Sequence, residues 1–385
     1  MSARRTKVLM LVNALHVGGG ERFLVGLATG LPADRWDVTV CVMRSHDGPL
    51  ISELEHAGVR VVSLGRSGRK DVGAIARLVR LVRRERPDIV HTHMFTANLW
   101  GTVAARIARV PLVVAHEQTW SYVGQPMRRF LDGRVIGRLA NVMVAVSTRD
   151  QERMASIEHV PAGKTTYIPN AYMPPLGDAP SGDLRAELGI APDAPLAGTM
   201  VVLRAQKALD VLLDAFALVL ERLPEAHLAI AGYGPMAETW QAHARAIGVG
   251  ERVHWLGIRT DGAVVRDALD VAVMSSDFEG TPLFSFECMA ARTPMVVTDV
   301  GGQRDIFESG VSALLVPPQD PPALADALVE LLSSPDRRRA MADAAYDRLS
   351  EFTVELAVER VEGLYERLLA AQGLSAPPLV APAAV

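Results

Sequence analysis

Short apolar runs alternate with longer amphipathic stretches from one end of this chain to the other, and that alternation limits what it can fold into. A strand buried on both faces reads as a continuous apolar run, and parallel neighbours need a helical crossover between them. In the first half, Val8–Val12, Val38–Met43, Val59–Leu64, Ile89–His93, Leu112–His116 and Val142–Val146 read as six strands of one doubly wound sheet. The segment PNAYMPPLGDAPSGD from Pro169 then breaks regular structure with proline and glycine. The pattern restarts with Leu196–Val202, His227–Ala231, Val253–Leu256, Val271–Met274, Met295–Thr298 and Ala313–Val316, a second sheet of the same kind. The expected fold is therefore α/β, with two Rossmann-like doubly wound parallel-sheet domains facing a central cleft. They span residues 1–172 and 173–352, followed by a helix over Thr353–Ala371 and a disordered tail over 373–385. A chain of 385 residues, 49% hydrophobic, is long and apolar enough for two cores.

In open parallel sheets ligands lie beyond the carboxyl ends of the strands, so the strand-to-helix loops should carry the chemistry. The most informative is SSDFEGTPLFSFECMA, where Glu279 and Glu287 flank the turn Gly280, Thr281, Pro282 and Leu283 after the strand ending at Met274. Thr281 suits an N-cap and Pro282 a first helical turn, leaving amide groups to face an anion such as phosphate. Carboxylates on either side could accept hydrogen bonds from sugar hydroxyls. In MVVLRAQKALDVLLDAF, Arg204 and Lys207 follow a strand and could neutralise a diphosphate leaving group. The loop HVGGGERF opens a helix at Glu21 and offers Gly19 and Gly20 for close backbone approach to a charged group. Its third dinucleotide-motif position after Gly18 and Gly20 is Phe23, which breaks the G-x-G-x-x-G pattern.

Gly232 and Gly234 in AIAGYGPMAE do fit G-x-G-x-x-A after a strand, a weak hint of a nicotinamide cofactor, but Pro235 removes an amide where a pyrophosphate needs one. His93 and His116 end neighbouring strands and are expected to point to the cleft; the loop TWSYVGQPMRR offers Trp120 and Tyr122 for stacking on an acceptor. A net charge of −4 and a pI near 6.2 exclude a general nucleic-acid binder. Cys41 and Cys288 read as buried small residues rather than a disulfide framework. The basic start MSARRTK precedes an apolar run far short of the ~20 residues a membrane span needs, so a cytoplasmic protein is expected. Arg77, Arg80, Arg83, Arg84 and Arg86 fall on one predicted helix, with Arg128, Arg129, Arg134 and Arg138 in the same domain. They read equally as a solvated face or as a surface for peripheral contact with an anionic membrane or lipid acceptor.

The run EGTPLFSFECMAARTPMVVTDVGGQRDIFESG resembles the E-x7-E region of the retaining glycosyltransferases of family 4, which have the GT-B fold, and the similarity extends over most of the chain. The resemblance implies that Glu279 contacts the donor sugar and Glu287 the ribose. It sets Gly19 and Gly20 against the donor phosphates and acceptor, and Gly232 and Gly234 in a G-x-G-P turn of the nucleotide pocket. Gly257, Ile258 and Arg259 fall beside the base. Lys207 matches the family's lysine, while Val202 and Ala208 replace its usual arginine and glycine, so that Arg204 must substitute. His116 matches a histidine that touches the donor sugar; a second register sets Glu117 and Gln118 against a variant Glu-His pair. Asn170 in IPNA resembles the start of the family's IPNG segment, with Ala171 in place of glycine. His93, Glu117, Trp120 and Tyr122 are the acceptor-side candidates. The family's last helix crosses back onto the first domain, and its mechanism needs neither metal nor cofactor. Consistently, no D-x-D pair and no zinc-like cluster occurs in the sequence.

The reading is a glycosyltransferase taking a nucleotide-diphosphate sugar, UDP-, GDP- or other, to a carbohydrate, lipid-linked or small-molecule hydroxyl. Two alternatives remain open at this stage. One is another GT-B enzyme such as a sugar-nucleotide epimerase; the other is a non-catalytic nucleotide-sugar binder, suggested by Val202 and Ala208. A dehydrogenase is the weakest reading.

Overall fold

A computed structural model describes residues 4–15, 18–44, 48–68, 71, 73–118, 125–174 and 181–374. By chain contacts it divides into two units, one running to Met173 and resuming at Phe352, the other spanning Pro174–Glu351. The first unit holds a parallel sheet of β1 (Thr6–Val12), β2 (Trp36–Val42), β3 (Arg60–Ser63), β4 (Ile89–His93), β5 (Leu112–Glu117), β6 (Val142–Ala145) and β7 (Thr165–Tyr167). Their order is β3-β2-β1-β4-β5-β6-β7, so the winding reverses between β1 and β4. The second sheet holds β8 (Leu196–Met200), β9 (His227–Ala231), β10 (Val253–Gly257), β11 (Val271–Met274), β12 (Met295–Thr298) and β13 (Leu314–Val316). Its order, β10-β9-β8-β11-β12-β13, reverses between β8 and β11. Ligands of such sheets settle at the carboxyl ends beside the reversal.

Both faces of the central strands are covered, so β4, β5, β6, β9, β11 and β12 are buried throughout, and all but β4, with His91, Thr92 and His93, are mainly apolar. The first sheet has seven strands, not six. β7 is a three-residue edge strand, half-buried, whose Thr-Thr-Tyr carries no apolar run to announce it. Both cysteines are buried and unlinked. Among the described residues no helix is long and apolar enough to cross a membrane.

The last helix, Val354–Ala371, is capped by Thr353, whose side chain accepts from the Leu356 amide at 3.3 Å. It belongs to the first unit and packs on the helix Gly19–Gly30. Gly26 and Gly30 are one turn apart, and a Cβ at Gly30 would lie 2.6 Å from Val358 Cγ2, so the two helices approach where side chains are missing. Arg35 ion-pairs with Glu362 and Glu366 of this helix, and Trp36 Nε1 donates to Glu362 Oε1 at 2.7 Å. Where the chain leaves and re-enters the unit, the Tyr172 amide donates to the Phe352 carbonyl at 2.8 Å.

Candidate functional site

In the second unit the loops after β8 and β11 lie at the winding reversal. The Arg204 backbone is extended, Ala205–Lys207 forms one 3₁₀ turn, and Ala208 adopts a left-handed conformation (φ 45°) that starts the helix Leu209–Arg222. Two hydrogen bonds fasten this loop to the one after β11: the Asp277 amide to the Gln206 carbonyl and Ser275 Oγ to the Lys207 carbonyl, each at 2.8 Å. Lys207 is thereby brought onto Glu279, and Nζ and Oε1 form a close ion pair. Ser276 Oγ donates to the same Oε1 at 2.6 Å. Both charged side chains are nearly enclosed, 15% and 8% exposed. In such surroundings a carboxylate needs its partners, because leaving one charge unpaired costs far more than the pair gains.

The backbone around Glu279 is held by Gly301. Its φ of 53° suits glycine, and a Cβ there would sit 1.7 Å from the Glu279 carbonyl oxygen. Gly232 does the same beside β8, where a Cβ would meet the Val201 carbonyl at 1.8 Å with φ at 134°. The following helix is Leu283–Ala290, and its N-cap is Pro282 rather than Thr281. Pro282 itself is extended (ψ 129°), so the helix cannot begin until Leu283. Its proline N-cap offers no side-chain acceptor, and of the first amides, which lack acceptors in a regular helix, Ser285 bonds the Pro282 carbonyl at 3.2 Å. An uncapped N-terminus beside a buried lysine is a fit for an anionic group. Glu287, in the same helix, is half-buried. Arg204 is exposed, and no ion pair holds its side chain among the described residues.

Arg259, expected beside a nucleotide base, is committed elsewhere. Its guanidinium binds Glu187 at 2.7 and 3.0 Å and Asp261 at 2.8 and 2.7 Å, which leaves the side chain little to offer a ligand. Gly257 (φ 64°) ends β10 at a register shift, and Ile258 is 69% exposed.

In the first unit the glycine loop differs from expectation in one respect: the helix opens at Gly19, with Gly18 as N-cap, not at Glu21. Gly18 takes the N-cap, a position glycine tolerates, so the helix begins two residues earlier. Gly20 lies against Gln118, whose Cγ would be 3.0 Å from a Cβ there. His93 and His116 are fully buried, as is His91. His93 and His116 are paired in register across β4 and β5, and His91, two residues before His93, shares their face. Phe23 packs edge-on to the His116 ring and Tyr365 edge-on to His91. Burial pushes all three imidazoles below their ordinary range, His116 to about 3, so they are neutral. Both nitrogens of His93 and Nε2 of His116 lack hydrogen-bonding partners among the described residues. Met94, directly after His93, is held at φ 68°, a strained value for a residue with a side chain. Glu117 is buried and accepts from Asn98 Nδ2 at 3.2 Å.

One nitrogen from each histidine falls within 4.8 Å of the others, close enough to pose the question of a metal ion. The donor set fits poorly: His91 uses one nitrogen on Tyr365 Oη and the other on His116 Nδ1, so a metal binding all three would have to break that chain. Trp120 and Tyr122 lie outside the described residues. Sequence reasoning missed His91 and Tyr365; the alternation in IVHTH places His91 beside His93, whereas Tyr365 meets them only through tertiary packing.

Comparison with known proteins agrees with this architecture. The family described as Glycosyltransferase Family 4 matches residues 17–172, and Glycosyl transferases group 1 matches residues 181–348. Alpha-D-kanosaminyltransferase of Streptomyces kanamyceticus is 26% identical over 74% of this chain and 79% of its own. D-inositol 3-phosphate glycosyltransferase of Corynebacterium jeikeium is 28% identical over 73% and 72%. Among solved structures, Anabaena HepE in complex with UDP and glucose superposes with a TM-score of 0.80 at 22% identity, covering 94% of this chain and all of that one. Sucrose-phosphate synthase from Thermosynechococcus elongatus gives 0.77 at 21% identity over 95% and 100%. With two Rossmann-like units of GT-B type and both halves matched, this chain belongs to the family 4 glycosyltransferases.

Proposed function

We propose that the enzyme transfers a sugar from a nucleotide-diphosphate donor to a hydroxyl group with retention of configuration and without a metal ion. The Lys207–Glu279 pair at the β8–β11 reversal, beside the uncapped turn at Leu283, carries this reading. A cation and amide donors suit a diphosphate, and a carboxylate suits a sugar hydroxyl. As the glycosidic bond breaks, negative charge builds on the leaving phosphate oxygen, where Lys207 and Arg204 would stabilise it. That oxygen takes the acceptor proton while the acceptor attacks the oxocarbenium-like centre on the same face. Glu279 holds the donor sugar and Glu287 the ribose; His116 is the first unit's candidate for a sugar contact, reached only by a ligand that displaces what now buries it. HepE, bound to UDP and glucose, supports a nucleotide-sugar donor for this fold.

The acceptor is a carbohydrate, lipid-linked or small-molecule hydroxyl, taken by the first unit with Glu117, Trp120 and Tyr122 as candidates. The enzyme is read as cytoplasmic. The arginine-bearing helix Gly73–Glu85 lines an open cavity of about 640 Å³ with Val62 and Leu64, but Arg77 already holds Asp71 and Arg84 holds Glu85. With these two paired and no ion pair on Arg80 or Arg83 among the described residues, the helix stays a candidate both for a solvated face and for peripheral contact with an anionic membrane.

A panel of nucleotide sugars, screened by thermal shift, should return one stabilising donor. Hydrolysis or transfer of it in EDTA, with the product anomer assigned by NMR, should then match the donor's configuration. An inverted product, or activity abolished by chelation and restored by magnesium, contradicts the proposal. Stabilisation without turnover would favour a nucleotide-sugar binder.

A further inference from the structure

The buried histidines form a directed chain with a residue on the last helix. Tyr365 Oη lies 2.6 Å from His91 Nδ1, and His91 Nε2 lies 3.3 Å from His116 Nδ1. The His91 and His116 rings are within 9° of parallel with centroids 5.4 Å apart. That separation is too long for full face-to-face overlap of the two parallel rings, and their closest contact is between the two facing nitrogens. This is hydrogen-bond geometry, not face stacking.

Neutral imidazole has one donor and one acceptor, and a phenol has a single proton. Two proton arrangements are therefore available. In the first, Tyr365 O–H donates to His91 Nδ1, His91 Nε2–H donates to His116 Nδ1, and His116 carries its proton on Nε2. In the second, every bond reverses: His91 donates to Tyr365, and His116 donates from Nδ1. The second leaves the Tyr365 proton buried with no acceptor, as well as a bare His116 Nε2. The first leaves only one group over, the His116 Nε2–H. Buried unsatisfied groups are expensive, so the first arrangement wins by one orphan.

We infer that Tyr365 is a positioning residue that fixes, through His91, the Nε2–H tautomer of His116 and so presents it as a hydrogen-bond donor. Its consequence for catalysis rests on the reading above, in which His116 contacts the donor sugar; the tautomer itself does not. A donor rather than a lone pair at Nε2 selects an oxygen acceptor, such as a sugar hydroxyl or ring oxygen.

Long-range ¹H–¹⁵N spectra of ¹⁵N-histidine-labelled full-length protein, without any nucleotide sugar, read the tautomers directly, with His116→Gln supplying the assignment. The expected wild-type result is protonated Nε2 and bare Nδ1 for both His91 and His116. Tyr365→Phe keeps the ring packed on Trp36 and His91 and removes one atom. It should shift His116 to a mixture of tautomers and lower kcat about 10-fold, the worth of one hydrogen bond, with a much smaller change in the sugar-donor KM. His91→Phe should produce the same change at His116. Wild-type His116 protonated on Nδ1, or Tyr365→Phe leaving His116 wholly Nε2–H, would overturn the inference. A spectrum as expected from a protein that turns over no nucleotide sugar would support the relay and sink the proposed function instead.

Discussion

The two units carry opposite kinds of polar site. In the second, Lys207, Glu279, Ser275 and Ser276 satisfy one another and the loops that bear them. In the first, three histidines are fully buried and one chain of bonds ends on a nitrogen with no partner among the described residues. A self-satisfied pair is stable while waiting and must be partly opened by a ligand. A buried orphan is a standing penalty that a ligand relieves. The difference predicts that damage to the second unit's site appears in both stability and rate, while damage to the first unit's site appears chiefly in rate and in pH dependence.

The largest effect should come from Lys207→Met, which removes a cation from the leaving group and leaves Glu279 enclosed without its counter-charge. Steady-state assays should show kcat down about 10²–10³-fold, and urea denaturation should show a lower midpoint. Wild-type kcat would remove the pair from the chemistry. Gly301→Ala comes next. Its backbone conformation alone costs about 1–2 kcal/mol for a residue with a Cβ, and the added atom must push the Glu279 carbonyl away. Melting temperature and kcat should fall together; unchanged kcat would mean that Glu279 tolerates displacement.

The histidines sharpen the contrast through pH. Their folded pKa values lie below the ordinary 6.5, so between that value and about 3, for His116, the unfolded chain binds protons that the folded chain refuses. Stability is therefore fully retained above pH 6.5 and lost as pH falls, by up to about 1.4 kcal/mol per pH unit for each such histidine. Urea midpoints at pH 7, 6 and 5 should decline, and His93→Phe should flatten the decline; a profile unaltered by that change would show that His93 takes up protons normally. The smallest effects separate the two arginines. Arg204→Ala should reduce kcat and leave melting unchanged, whereas Arg259→Ala, which breaks the Glu187 and Asp261 contacts, should reduce melting more than it raises the sugar-donor KM.

Twelve of the thirteen strands among the described residues were legible in the sequence, most because strands buried on both faces must be apolar, and the exception was the short edge strand Thr165–Tyr167. Glu279 and Lys207 were legible as candidates because each follows a strand at a turn, where spacing along the chain approximates spacing in space. That the two touch was not, since it depends on Ser275 and Asp277 binding the neighbouring loop. The helix start after Pro282 was misplaced because threonine before proline imitates a cap, while the proline's own extended backbone postpones the helix. Histidine burial was invisible for a different reason: what covers His91 lies far along the chain, on the helix that bears Tyr365.

That distance has a consequence for synthesis. The chain leaves the first unit at Met173 and re-enters it at Phe352, with Tyr172 hydrogen-bonded to Phe352 at the junction. A ribosome therefore completes all seven strands of the first sheet, then makes the whole second unit before the helix carrying Glu362, Tyr365 and Glu366 exists. At about 5–20 residues per second that interval is on the order of ten to forty seconds. For that time Arg35 lacks its carboxylates, and Trp36 and His91 lack their lid. Until then the first unit lacks the helix whose Tyr365 covers Trp36 and His91 and whose Glu362 and Glu366 pair with Arg35.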